Sequence, residues 1–274
     1  MRYKRVLNRK PCTIEVNVFC KREQPLIVKI EDNLKPNTVY ADRLRKIKGK
    51  GKFYIRLPQT PKVAKISIYN KLRGNKKARQ DSSFSITSIK KIDLKRKFSV
   101  DQIQNPITRK FVKFAQWFSD KAGILDCQKA IYISDSGEFR IDYVPNVTSR
   151  DDGHKMNTPA RINKKTGIIE IARNSFVNYT IPMRMAILLH EFSHFYLNKD
   201  MDNETEADTN ALLVYLGLGY SRVEAIKVFL SVFHGSATDG NVERYKIIEN
   251  MINNFEKAKI KFNSKSNYYY DGEV

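Results

Sequence analysis

Thr180-Ile-Pro-Met-Arg-Met-Ala-Ile-Leu-Leu-His-Glu-Phe-Ser-His-Phe-Tyr196 is the stretch on which the reading of this chain turns. Thr180 and Pro182 are helix start signals, and the apolar run behind them carries the helix through His190-Glu-Phe-Ser-His194. Side chains at i and i+4 lie on one helical face, so both imidazoles reach a single tetrahedral ion. Glu191 is turned toward the water that completes the coordination. Zinc is the expected metal: it lowers the pKa of its water and polarises a peptide carbonyl, while Glu191 takes the proton and passes it to the leaving amine. A lone helical histidine more often packs or caps, but here two of the chain's four histidines share the pattern with a glutamate between them.

A hydrolytic zinc keeps three protein ligands and one open position. Met201-Asp-Asn-Glu-Thr-Glu-Ala-Asp-Thr-Asn-Ala-Leu-Leu-Val-Tyr-Leu216 reads as a second helix with an acidic first turn. Glu204 and Asp208 share a face there and Glu206 does not. Glu204 is the expected third ligand, and Asp208 the acceptor that orients a ligand histidine through its other ring nitrogen. Acidic residues also suit a helix start for electrostatic reasons, and Asn203 with Glu206 resembles a capping box. That second explanation accounts for Glu206 and competes for Glu204, so the choice between the two glutamates stays open in the sequence.

Around this pair the chain is mixed. Phe111, Phe114, Ala115 and Phe118 fall at helical spacing, and Ala130–Ser134, Glu138–Val144, Ala160–Asn163 and Gly167–Ala172 read as strands, the last two as a hairpin. After the second helix, Ser221-Arg-Val-Glu224 is a capping box opening another helix, and Val242–Phe255 has a further helical pattern.

His190-Glu-Phe-Ser-His194 with Glu204-Thr-Glu-Ala-Asp208 resembles the H-E-x-x-H plus E-x-x-A-D pair of gluzincin metallopeptidases. The resemblance implies zinc on His190, His194 and Glu204, catalysis by Glu191, a histidine-supporting Asp208, and a protein or peptide substrate bound along an edge strand, in whose place Gly167–Ala172 stands. Only nine residues separate His194 from Glu204, which suggests a compact helix-turn-helix version. Some gluzincins carry a later His-Pro…Glu-Arg segment at the site. This chain reads His234-Gly-Ser-Ala-Thr-Asp-Gly-Asn-Val-Glu-Arg244 without the proline, making His234 a candidate catalytic electrophile and Arg244 a candidate site-lining group. The longer string His190–Tyr220 is similar to zincin-like domains encoded among virion genes of crAss-like bacteriophages. That likeness implies a tail or portal-proximal ring component with neighbouring subunits as partners, resident in host cytoplasm and virion, with or without catalysis.

Outward from the motif, the composition changes sharply. Residues 1–100 hold 28 Lys+Arg against 7 Asp+Glu, and this part alone equals the whole chain's surplus of +21. Thr13–Cys20, Leu26–Ile30, Phe53–Leu57, Val63–Tyr69 and Phe84–Ile89 are short β-rich runs separated by turn-forming clusters, the pattern of an antiparallel sandwich or barrel. At 274 residues the chain is about twice the roughly 150 expected of one domain. The expected fold class is α+β: a basic all-β domain over 1–97, a compact zincin-like α+β domain over 98–262, and a polar tail over 263–274.

The basic clusters include Arg43, Arg45, Lys46, Lys48, Lys50 and Lys52, then Lys76, Lys77 and Arg79. They read either as a solvated lysine-rich face or as a surface for nucleic acid or an acidic protein. No aromatic residue lies inside them apart from Phe53 at an edge, which gives little support to a base-stacking platform, so phosphate or acidic-protein contact is the stronger expectation. Cys12, Cys20 and Cys127 form no close pair, so reduced thiols are expected. No apolar run approaches the roughly 18 residues of a membrane span, and no secretory signal or lipid-anchor motif is visible, so a cytoplasmic protein without a membrane partner is expected.

Overall fold

The computed structural model describes residues 1–35, 37–74, 81–149, 151–233, 239–255, 260–262 and 268–270. The chain divides into two compact units, Met1–Lys95 and Arg96–Val274. The first is built of strands and the second mixes helices with strands, an α+β protein.

The first unit is antiparallel: β1 (Arg2–Val6), β2 (Cys12–Asp32), β3 (Val39–Leu57), β4 (Val63–Asn70) and β5 (Ser85–Ile92). They form one five-stranded sheet, with the path β1-β4-β2-β3 and β5 also on β2. The all-β first unit expected from the sequence is thus an antiparallel sheet with one buried face. Two of the expected strands, Thr13–Cys20 and Leu26–Ile30, belong to the one long β2. Its first half pairs with β5 and its second with β4, while β3 runs beside both. The β2–β3 ladder shifts register between Cys20 and Gln24. Opposite this break Gly49 adopts φ +70°, and Ile47 lies where a Cβ on Gly51 would come within 2.4 Å of it. Only glycines pass this corner without strain. The pleat explains the core: Ile14, Val16, Val18, Cys20, Leu26, Val28 and Ile30, at every second position of β2, are buried against Phe53, Ile55, Ile66 and Ile68.

The second unit begins at Arg96 because the chain docks there. Lys97 and Phe98 donate backbone hydrogen bonds to the Gly217 carbonyl, and the buried Phe98 ring occupies the space a Cβ on Gly217 would need. A short 3-10 turn (Val100–Gln102) leads to α1 (Pro106–Lys121), whose cap Asn105 accepts from Ile107 and Thr108 amides. Then come β6 (Ala130–Ile133), β7 (Arg140–Val144), β8 (Ala160–Ile162), β9 (Ile169–Ala172) and the one-turn α2 (Arg173–Phe176). α3 (Ile181–Tyr196), α4 (Glu204–Gly217), α5 (Arg222–Phe233) and α6 (Asp239–Asn254) follow. Within the stretch expected to be a polar tail, Tyr268–Tyr270 is a strand, β11, paired antiparallel with β10 (Ile260–Phe262).

The four strands are ordered β6-β7-β9-β8, with β7 parallel to β9 and the other pairs antiparallel. The expected edge strand is therefore corrected. Gly167–Ala172 supplies β9, which lies inside the sheet, and β8 is the edge because β7 pairs with β9 directly. α3 packs against α1, α4, α5 and β8. Phe192 anchors it: its ring stacks on Phe111 of α1 at 4.1 Å, and Phe139 meets both rings edge-on. Arg184, fully buried on α3, donates to the carbonyls of Phe176, Ser119 and Val177 at 3.2, 2.8 and 2.8 Å, tying α3 to α1 and α2.

Candidate metal centre

α3 carries His190, Glu191 and His194, and a tight turn then returns the chain. The Glu206 carboxylate accepts from the amides of Lys199 (3.1 Å) and Asp200 (3.4 Å), and the Asn203 side chain caps α4 by accepting from the Glu206 amide at 2.9 Å. Asn198 donates to the Asn203 carbonyl at 2.9 Å. These bonds start α4 at Glu204. They also separate the two glutamates left open by the sequence: Glu206 holds the turn, and Glu204 faces the histidines.

His190, His194 and Glu204 each bring one ligand atom into a cluster within 4.8 Å, a group that could hold a metal ion. The two Nε2 atoms are 3.1 Å apart, and the Glu204 oxygens lie 3.4 Å from His190 Nε2 and 3.5 Å from His194 Nε2. Ligands at roughly 2.0–2.2 Å from a tetrahedral ion sit about 3.3–3.4 Å from one another, so the spacing fits. The tautomers fit as well. His190 Nδ1 is 2.8 Å from Asp208 Oδ1, and His194 Nδ1 is 2.8 Å from the Met201 carbonyl. With the proton of each ring on Nδ1, toward those oxygens, both Nε2 lone pairs are available to a single ion.

The charges agree. Burial alone would lower the His190 pKa, but the carboxylates of Asp208 and Glu204 outweigh it and push it up to about 10. The imidazoles of His190 and His194 hold Glu204 far below the usual carboxylate range, against the effect of its partial burial. For Glu191, burial raises the pKa, opposed by the charges of His190 and His194. The backbone of Ile162, on the edge strand β8, also works to lower it.

Arg244 of α6 meets the cluster from the side. Its guanidinium donates to Glu204 Oε2 at 3.1 Å and to Asp208 Oδ2 at 2.8 and 3.1 Å. Asp208, buried to 1% exposure, thus bridges His190 and Arg244. Arg244 neutralises the acidic pair as well as lining the site. A cavity of about 300 Å³ opens onto Glu191, His190, His194 and Glu204, walled by Ile162 of β8 and by Phe229.

The remaining candidates lie elsewhere. His234 is outside the described residues, as are Lys76, Lys77 and Arg79. Lys46, Lys48, Lys50 and Lys52 are exposed on β3, Arg43 stands opposite Val28, and Arg45 donates to the Lys52 carbonyl at 2.8 Å. The sequence reading missed the Met201 carbonyl, a main-chain group that residue identity does not mark. No helix among the described residues is long and apolar enough to cross a membrane. No family model, curated protein or solved structure matches the chain.

Proposed function

We propose that this chain is a zinc-dependent peptidase of gluzincin type. One observation carries the reading: two imidazoles with fixed Nδ1 partners and the Glu204 carboxylate converge on one point, with a buried glutamate adjacent to them and an edge strand on the same cavity. Two histidines and a carboxylate also suit non-haem iron. Glu191, next in sequence to a ligand and in the same cavity, favours zinc hydrolysis, because redox chemistry at iron has no use for a general base there. When bound, zinc supplies Lewis-acid polarisation of a carbonyl and makes water acidic near neutral pH.

The chain's own groups do the rest. Glu191, with its pKa raised by burial, takes a proton from the attacking water and returns it to the leaving amine. Asp208 and the Met201 carbonyl hold the imidazoles in the ligating tautomer, and Arg244 holds Glu204 and Asp208 in place. β8 pairs only with β9 among the described residues, so its second edge offers main-chain bonds to an extended peptide.

The test is metal analysis of the wild type, Glu204→Ala and Glu191→Gln, with peptide cleavage measured on the same samples. About one zinc per chain and chelator-sensitive cleavage are expected of the wild type. Glu204→Ala should lose both. Glu191→Gln should keep the metal and lose at least about a hundredfold in turnover. Cleavage by Glu191→Gln at the wild-type rate, or a zinc-loaded wild type that cuts no peptide, would sink the peptidase reading.

A further inference from the structure

We propose, independently of the metal centre, that the outward face of the first unit's sheet, where β3, β2 and β5 lie side by side, binds single-stranded nucleic acid. The β2–β3 register sets Tyr54 beside Glu15, Lys52 beside Asn17 and Lys50 beside Phe19. Partners across an antiparallel ladder share a face. The opposite face holds the buried Ile14, Val16 and Val18, so these six residues look outward. Phe19 and Tyr54 are 38% and 57% exposed, two aromatic rings on a solvent face among cations. On the other side of β2, Lys90 of β5 stands beside Glu15.

The sequence shows no aromatic inside the basic clusters, and Phe53, the nearest, is buried opposite Val16. Register supplies what the linear sequence lacks: Phe19, thirty-one positions before Lys50, becomes its neighbour. Four ladder positions separate Phe19 from Tyr54, about 14 Å along the strands at roughly 3.4 Å per residue.

The polar floor between the rings is tied down. Asn17 donates to Glu15 and to Ser88 Oγ at 2.8 Å each, and Lys52 lies 3.3 Å from Glu15 and 3.2 Å from the Tyr54 hydroxyl. The only acidic side chain among the residues named on this face is thus already paired. Lys50 and Lys90 have no ion pair among the described residues. A groove of about 370 Å³ runs beside Phe19, lined by Asn17, Lys50 and Ser88. Rings that stack on unpaired bases, with lysines that meet phosphates, form the sequence-tolerant platform of single-strand binders. A duplex keeps its bases stacked inside, and an acidic peptide would use the lysines without the rings.

The experiment is fluorescence anisotropy on the full chain with labelled oligo-dT and oligo-U, an equivalent duplex, and polyglutamate as competitor. Single strands should bind with a steep salt dependence, and the duplex at least tenfold more weakly. The two oligomers distinguish DNA from RNA. Phe19→Ala and Tyr54→Ala should each weaken binding by about tenfold, Tyr54→Phe should retain it, and Leu34→Ala, at a 76% exposed position in the same unit, should change nothing. Circular dichroism melts establish that the variants fold. Absent binding, equal affinity for duplex, full displacement by polyglutamate at matched charge, or indifference to both ring deletions would overturn the proposal.

Discussion

The two units treat charge in opposite ways. In Met1–Lys95 the cations are many and lie along exposed strand faces, and ion pairs such as Glu31 between Lys29 and Lys65 stand where water still reaches them, with the buried Asp81 beside Arg73 the exception. In Arg96–Val274 positive and negative charges nearly balance, yet Arg184, Glu191 and Asp208 are buried, Arg184 and Asp208 with defined partners. The abundance of charge and its structural consequence are therefore inversely related in this molecule. Exposed charge sets what the surface attracts, whereas buried charge determines how the interior is joined.

The largest expected effect tests the second half of that contrast. Arg184→Met should leave three carbonyls without their donor, each worth about 1–3 kcal/mol, for a loss on the order of 3–5 kcal/mol in urea unfolding. A change below about 1 kcal/mol would mean that the buried cation joins nothing. Next comes Asp208→Asn, which keeps an acceptor for His190 but removes the charge shared with Arg244. Metal affinity by chelator competition should fall roughly 10–100-fold with the fold intact, and unchanged affinity would assign the orientation of His190 to packing instead.

Smaller effects belong to the first unit. Burial alone would raise the Glu31 pKa, but hydrogen bonds from Lys65 and Lys29 outweigh it and lower it. The stability this supplies is present above the unfolded value near about 4.3 and is lost as pH falls through the lower folded value. Glu31→Gln should cost roughly 0.5–1 kcal/mol at pH 7, with the difference closing in acid. A pH-independent deficit would point to packing rather than charge. Smallest of all, Lys46→Gln with Lys48→Gln should move stability by no more than about 0.5 kcal/mol. A large loss would place those side chains in the structural framework and erase the contrast.

How far the sequence discloses these features depends on how local they are. His190, Glu191, His194 and Glu204 lie within fifteen consecutive positions, and the helical period puts the two histidines on one face, whereas Glu204 parts from Glu206 only through the bonds of the turn. The helix starts at Thr180 and Asn203 are equally local. Strand order is not, because it is decided by which distant segments pair. The parallel union of β7 with β9 moved the edge to β8, and no feature of Gly167–Ala172 announces it. The cluster Arg43–Lys52 hides a strand because lysines occupy the outward positions and only Ile47 and Phe53 mark the inward ones. Arg2–Val6, a basic run at the start of the chain, hides β1 in the same way.

The three-residue β8 has a consequence for how a chain could lie against it. Backbone bonds from Asn163 to Ile168 and from Ala172 to Pro159 show that Pro159, Arg161 and Asn163 turn their main chain to β9, so Ala160 and Ile162 turn theirs away. On that side the Thr158 hydroxyl occupies the Ala160 carbonyl at 2.6 Å. Two donors, the Ala160 and Ile162 amides, and one acceptor, the Ile162 carbonyl, are left facing outward among the described residues. A strand laid along this edge would therefore meet two donors but a single free acceptor, an imbalance that limits the frames in which it can pair.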